Sequence, residues 1–280
     1  MRGWGARGLR DGPGLPRLRS AQGSAVRREP PFRLVAHRNR LWQPLPTFGF
    51  GARPAAGADI ARLRQMTTPV HTTYSRRGME VLEEIAGREP LAIGVRTFYF
   101  LRHGQTEGNR TRIYQPADIP LNDTGLAQAR LAAEQLRDHP IRRIRASDMA
   151  RAWTTAGIVA EVIGLAVEAE PGLRERWFGD LVGSSSADLD WTRDPPNGET
   201  LAGFIQRARA GIAAALDADG TTLMVSHGGV LHVLLGSLRL PVRPEYTANA
   251  APLLFEAEGS GWRVTPLLPE AEAAPPDSIS

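Results

Sequence analysis

Apolar residues are arranged very differently in the first quarter of the chain and in the rest. Over residues 1–65 no useful length repeats them every two or every 3.6 positions, and Gly, Pro and Arg dominate, as in Arg27-Arg28-Glu29-Pro30-Pro31. Such a segment buries little apolar surface, so it is expected to be disordered. From about Gly78 the texture changes. Residues 79–86 pattern as a short amphipathic helix, and Thr97-Phe-Tyr-Phe-Leu101 is a compact apolar run ending in a glycine turn, which predicts a buried strand. Asp123 or Thr124 can cap a helix with Leu126, Ala129, Ala133 and Leu136 on one stripe. A strand at 143–146, a helix at 150–163 and a strand at 166–169 follow. Residues 183–198 pattern as loop, 199–216 as helix, 221–225 as a second buried strand and 230–238 as helix, and 253–257 with 262–266 as a terminal hairpin. Strands alternating with helices predict an α/β domain with a mainly parallel sheet covered by helices.

Composition adds two constraints. The chain contains no cysteine, which excludes disulfides and thiol chemistry and fits a reducing, cytoplasmic setting. No run reaches the ~18 apolar residues that span a bilayer, so no membrane association is expected. Every one of the 34 basic residues is Arg. Fifteen of them, against three acidic residues, lie in 1–78, so that segment carries +12 and the remainder −8. Three readings of 1–78 stand open: an Arg-rich targeting presequence, a basic arm for an anionic surface, and upstream sequence ahead of a true start at Met66 or Met79. The acidic balance of the rest argues against broad contact with nucleic acid. The expected organisation is a basic extension (1–78), a short helix and linker (79–94), one catalytic domain (95–268) and a loose acidic tail (269–280). The oligomeric state is not legible.

Candidate chemistry sits where two strands end alike. Phe100-Leu-Arg-His-Gly104 and Met224-Val-Ser-His-Gly-Gly229 each place a histidine just past an apolar strand and before glycine. In open α/β sheets ligands bind beyond the carboxyl ends of strands. The second segment also opens a helix, whose first amides attract an anion. Two imidazoles and at least Arg102 can therefore converge on one oxyanion.

These residues resemble a known family. Leu101-Arg-His-Gly-Gln-Thr-Glu-Gly-Asn109 is similar to the signature of the histidine phosphatase superfamily, which includes the cofactor-dependent phosphoglycerate mutases. Leu121–Ala129, Ser147–Ala156, Leu173–Gly179, Pro196–Thr200 and Val225–Gly229 resemble further family segments in family order, from about Thr97 to Pro266. The resemblance implies a three-layer α/β/α sandwich of the phosphoglycerate mutase kind. It implies that His103 attacks phosphorus and becomes phosphohistidine, and that Arg102, Arg151 and His227 hold the phosphoryl oxygens. Asn109 and the Gly228 amide add hydrogen bonds, and Glu175 protonates the leaving oxygen and later activates water. The chemistry of these residue types agrees: neutral imidazole is a nucleophile, the guanidinium fork fits phosphate oxygens, and a protonated carboxylic acid spares an alkoxide leaving group. With cations of the protein forming the phosphate cage, no metal and no cofactor is expected. The partner implied is a small phosphorylated metabolite.

Some residues carry a second reading. Glu107 competes with Glu175 as proton donor, Asn109 and Thr106 can cap a loop, and Arg151 and Glu175 can be plain surface residues. Packing is expected for His232, Trp153 and Trp177, and no role for His71 or His139. One departure from the family stands out: Val182 precedes Gly183 where family members often carry an acidic residue. The segment from Gly183 to Pro196 is short, with Arg193 its single base and Asp188, Asp190 and Asp194 acidic. A mutase that returns the phosphoryl group needs a basic covering segment there, so hydrolysis of small phosphomonoesters is the expected outcome. The alternatives are phosphoglycerate mutase-type transfer and a non-catalytic phospho-ligand binding module.

Overall fold

The computed structural model describes residues 77–217 and 220–267, all within the compact unit Arg53–Ser280. The readings made for residues 1–76 and for the tail from 269 lie outside the described residues. In chain order the elements are α1 (Met79–Ala86), β1 (Thr97–Arg102), α2 (Glu107–Thr111), α3 (Asp123–Leu136), β2 (Arg143–Ala146), α4 (Ala150–Ile163), β3 (Val167–Ala169), α5 (Leu201–Ala215), β4 (Thr222–Ser226), α6 (Gly228–Ser237), β5 (Pro252–Glu258) and β6 (Gly261–Pro266), with short 3-10 turns at Pro171–Leu173, Gly179–Leu181 and Pro244–Thr247.

The six strands form one sheet in the order β3-β2-β4-β1-β5-β6. β1 through β4 run parallel, while β5 pairs antiparallel to β1 and β6 antiparallel to β5. The sheet is therefore mainly parallel, with a hairpin added at one edge. Because helices cover both faces, the central strands are apolar without alternation. β1 shows how this is used: Phe98 and Phe100 pack on one face with Met224 and Phe255, and Tyr99 and Leu101 on the other with Leu223 and Val225. Helices α3 and α4 supply Leu136, Ala156 and Val159 to the second face, and α1, α5 and α6 supply Leu82, Phe204, Ile212 and Leu234 to the first. Each such fully buried side chain contributes about 1.5–3 kcal/mol by removal from water.

The long helix α3, which follows β1 after the short α2, lies on one face and α6, which follows β4, on the other, although β1 and β4 are neighbours. The chain reverses its winding there, which opens a crevice at their carboxyl ends. Residues 79–86 form the expected helix, but it is no linker. Leu82 and Ala86 are fully buried, and a Cβ on Gly236 of α6 would lie only 2.6 Å from Glu83 O, so the two helices meet backbone to backbone.

Candidate active site

The last residues of β1 and β4 are register partners, Arg102 opposite Ser226, and the His103 amide donates to Ser226 O (2.9 Å). This ladder carries both histidines out of the sheet side by side, with ring centroids 5.1 Å apart and planes tilted by 58°. Both are buried, as are Arg102 and Arg151. His103 Nδ1 lies 2.7 Å from Gly104 O. A carbonyl only accepts, so Nδ1 carries the proton and Nε2 holds the lone pair. The turn after His103 is tight: a Cβ on Gly104 would sit 2.4 Å from Gly125 O, and one on Gly125 only 2.0 Å from Gln105 O. Glycine at both positions lets the start of α3 press against this turn. The Gly104 amide donates to Thr155 Oγ1 (3.1 Å), and that hydroxyl donates to Arg151 O (2.8 Å), which ties the turn to α4.

Arg151 lies in the first turn of α4, with Nη1 donating to Pro116 O (3.1 Å). Arg102 Nη1 donates to Thr247 O, and its guanidinium carbon is 3.7 Å from where a Cβ on Gly228 would stand. Gly228 opens α6, with His227 extended as its N-cap. His227 Nε2 pairs with Ser147 Oγ (2.8 Å), and its Nδ1 has no partner among the described residues. Glu175 also reaches this helix end. Its Oε2 accepts from the Gly229 amide (2.9 Å) and its Oε1 from the Arg176 amide (3.1 Å). It is no surface ion pair. Thr106 is the N-cap of α2 and Asn109 completes its capping box: the Asn109 backbone amide donates to Thr106 Oγ1 and Asn109 Oδ1 accepts from Thr106 N, both at 3.1 Å. Asn249 Nδ2 donates to His103 O (2.9 Å) and lies 3.4 Å from Asn109 Oδ1, so α2 remains linked to the nucleophile turn. Glu107 is exposed and engages Arg110 through both oxygens.

Several supporting residues were not singled out from sequence. Ser147, Thr155 and Asn249 hold site residues 80, 51 and 146 positions away. Arg176, within the charged run Arg174-Glu-Arg176, is fully buried and donates to Trp191 O (2.6 Å), Arg193 O (3.1 Å), Glu199 O (3.0 Å) and Asp194 Oδ1 (2.9 Å). Arg207 grips Glu199 with two donors (2.8 and 2.7 Å) and also donates to Gly172 O and Arg174 O. His232 pairs with Glu83 (2.8 Å), His139 with Tyr99 Oη (3.1 Å), Trp153 packs beside α4's core and Trp177 Nε1 donates to Asn197 O (3.2 Å).

Burial pushes the His103 imidazole well below its usual 6.5, and Arg151 and then Arg102 add to this; the Gly104 carbonyl opposes it. His227 is lowered the same way, by burial first and then by Arg151, His103 and Arg102. Both rings are therefore neutral near pH 7. The consequence for stability has a definite sign. Below about pH 6.5 the unfolded chain binds protons at these histidines and the folded one does not, so folding weakens as pH falls, by up to about 1.4 kcal/mol per pH unit for each ring. The urea midpoint in phosphate-free buffer should be lower at pH 5.5 than at 7.5, and the difference should shrink in His227→Asn. Equal midpoints would mean that the rings titrate as in water.

The model of the histidine phosphatase superfamily (branch 1) matches residues 98–265, more than half of the chain. The chain belongs to the histidine phosphatase superfamily. Among curated relatives, an agropine synthesis reductase of Rhizobium rhizogenes is 32% identical over 197 residues, 66% of this chain but 45% of that protein. The probable phosphoglycerate mutase GpmB of Photorhabdus laumondii is 34% identical over 165 residues, 52% of this chain and 77% of that protein. The chain thus spans less than half of the first and about three quarters of the second. Among solved structures, a mycobacterial glucosyl-3-phosphoglycerate phosphatase complexed with VO3 superposes with a TM-score of 0.53 at 29% identity, covering 61% of this chain and 98% of that one. Mycobacterial hydrolase 1 gives 0.52 at 30%, covering 61% and 96%. The fold is that of the histidine phosphatases and phosphoglycerate mutases, and superfamily members are phosphatases or mutases. Among the described residues no helix is long and apolar enough to cross a membrane.

Proposed function

We infer that this histidine phosphatase hydrolyses small phosphomonoesters through a phosphohistidine at His103. The observation that carries the reading is the His103 ring itself, neutral and buried beside His227, with its proton fixed on Nδ1 by Gly104 O and its Nε2 lone pair available. In this reading Nε2 attacks phosphorus, and the ester P–O bond breaks as the leaving oxygen takes a proton from the Glu175 carboxyl. Arg102 and Arg151 balance the charge spread over the equatorial oxygens, and their fixed positions avoid reorganisation during the step. Ser147 can donate to His227 Nε2, which puts the His227 proton on Nδ1, the nitrogen with no described partner, for a phosphoryl oxygen. The Gly228 amide at the start of α6 adds a donor. Glu175, now a carboxylate, removes a proton from water; the hydroxide attacks phosphorus, the P–N bond breaks and inorganic phosphate leaves with His103 restored. Glu107 is a poorer donor candidate, since Arg110 engages its carboxylate at the surface.

Hydrolysis in preference to phosphoryl return is supported by the segment between Gly183 and Pro196, but not by the negative charge of its three aspartates, two of which are ion-paired. Asp190 pairs with Arg77 (3.1 Å) and Arg193 (3.6 Å), and Asp194 with Arg176 (2.9 Å), which leaves Asp188 as the acid of that set with no ion pair among the described residues. Support comes instead from length and tethering. Gly183 N donates to Tyr114 O, Tyr114 N to Ser184 O and Ser186 N to Arg112 O, so the segment is zipped to the turn after α2 and is too short to fold across the pocket. The naming of a relative as a probable phosphoglycerate mutase keeps mutase-type transfer as the second reading. A panel of phosphomonoesters, p-nitrophenyl phosphate included, should release inorganic phosphate, with negligible interconversion of 2- and 3-phosphoglycerate. Bisphosphoglycerate-dependent interconversion faster than phosphate release would establish the mutase.

A further inference from the structure

Arg77 and Gly78 pack against the 190–192 stretch, whose Trp191 carbonyl holds the arginine next to Glu175. Trp191 is the hinge of the contact. Its amide donates to Arg77 O (3.0 Å) and its carbonyl accepts from Arg176 Nη1 (2.6 Å), so the residue is pinned between the N-terminal segment and the buried arginine next to Glu175. Arg77 Nε also pairs with Asp190 (3.1 Å), whose side chain is 9% exposed. Gly78 fits against the same stretch with φ of 81°, and a Cβ there would lie 2.8 Å from Thr192 Cγ2 and 2.9 Å from Thr192 N. The Trp191 ring, packed edge-on to Phe178 and tilted against Phe204, reaches the head of α6. A Cβ on Gly229 would meet Trp191 Cη2 at 2.7 Å and Glu175 Oε1 at 2.3 Å. Trp191, Gly229 and the Glu175 carboxylate therefore crowd a single point.

The segment is anchored at its other end as well. Glu83 pairs with His232 of α6 (2.8 Å), and Arg209 donates to Ala86 O (2.6 Å) and Pro90 O (2.9 Å). With α1 docked in this way, Arg77 and Gly78 have little freedom, and neither has Trp191. We propose that residues 77–86 are a positioning element for the proton donor: Arg77 and Gly78 hold Trp191, which wedges the Glu175 carboxylate against the Gly229 amide. This deepens the reading of Glu175 as proton donor and rests on it. It also changes the boundary of the catalytic unit, since a chain begun at Met79 would lack both anchoring residues.

The test exploits leaving-group chemistry. An alkoxide needs a proton from the donor, and a p-nitrophenolate does not, so loss of donor alignment falls on alkyl phosphates selectively. In the full-length chain, Gly78→Val places a β-branched side chain at positive φ against the Thr192 backbone and should displace the 190–192 stretch. Its kcat/KM for glycerol phosphate should fall about tenfold or more, a fraction of what general acid catalysis supplies, with less than about threefold change for p-nitrophenyl phosphate. Arg77→Ala, which removes an ion pair exposed on one side, should show a smaller loss of the same selectivity. Retained p-nitrophenyl phosphate turnover reports a folded site. Equal loss on both substrates would assign the segment to stability alone and overturn the proposal, and so would no loss on either. Glu175→Gln is measured beside them. If it shows the selective loss and Gly78→Val does not, the positioning role fails and the donor stands. If Glu175→Gln shows no selectivity, the donor reading falls, and the positioning role with it.

Discussion

His103→Ala should reduce phosphomonoester turnover by about 10⁴-fold or more, the order observed when a covalent nucleophile is removed and only the charged cage remains. The geometry leaves no substitute. His227, the nearest ring, holds Ser147 with Nε2 at 2.8 Å and sits at the N-cap of α6, while His103 follows β1 directly. Moving His227 to phosphorus would break that bond and unseat the helix start. The fold should survive, because the turn that carries His103 is held by other bonds: Asn249 to His103 O, Gly104 N to Thr155 Oγ1 and Ala250 N to Arg102 O, none of which uses the imidazole. Rapid quenching of the wild type during turnover should trap protein-bound phosphate that is acid-labile and base-stable, and the variant should trap none. Near-wild-type turnover in His103→Ala would remove the phosphohistidine from the mechanism.

How far the sequence reached depends on whether an element is fixed locally. β1 was legible because an apolar run closing on glycine has few other fates, and α4 because its stripe begins and ends cleanly at Ala150 and Ile163. Boundaries slipped where a side chain chose the cap. α5 begins at Leu201 rather than Glu199 because Thr200 caps it through Gly203 N (3.1 Å), which frees Glu199 to grip Arg207. α6 begins at Gly228 rather than Val230; two glycines conceal a helix start from propensity, and the extended N-cap residue, His227, makes no side-chain cap bond that would announce it. The two strand-end histidines were visible as a repeated pattern, but their supports were not. Ser147 and Asn249 meet them from across the chain, and Arg176 reads as a surface charge until the carbonyls of Trp191, Arg193 and Glu199 are seen to satisfy it. The short helix at 79–86 looked like a linker for the same reason: its partner surface on α6 is remote in sequence, and the small residues that admit it, Gly87 and Gly236, carry no periodic signal.

Arg151→Ala should leave the fold intact and lower the rate by about 10²–10³, the scale of losing one preorganised donor to the developing charge. Alanine is the best helix former, so the first turn of α4 should persist, and the bond from Thr155 Oγ1 uses the Arg151 carbonyl, which the substitution keeps. Loss of the Nη1 bond leaves Pro116 O without that donor, a cost of about 1 kcal/mol. The pH profile separates a charge-stabilising role from a structural one. Burial is the first cause of the lowered pKa of both histidines, and Arg151 is the second for each. Without it both rings should take up a proton at higher pH, though still below the ordinary value that burial alone opposes. His103 protonated on Nε2 is no nucleophile, so the acidic limb of kcat/KM in the variant should lie at higher pH than in the wild type. Arg151→Lys, which keeps the charge and loses the planar fork, should restore the acidic limb more fully than the rate. A rate unchanged in Arg151→Ala would mean that the phosphoryl group is held without this guanidinium. A slowed rate with an unmoved acidic limb would confine Arg151 to shaping the turn at Pro116.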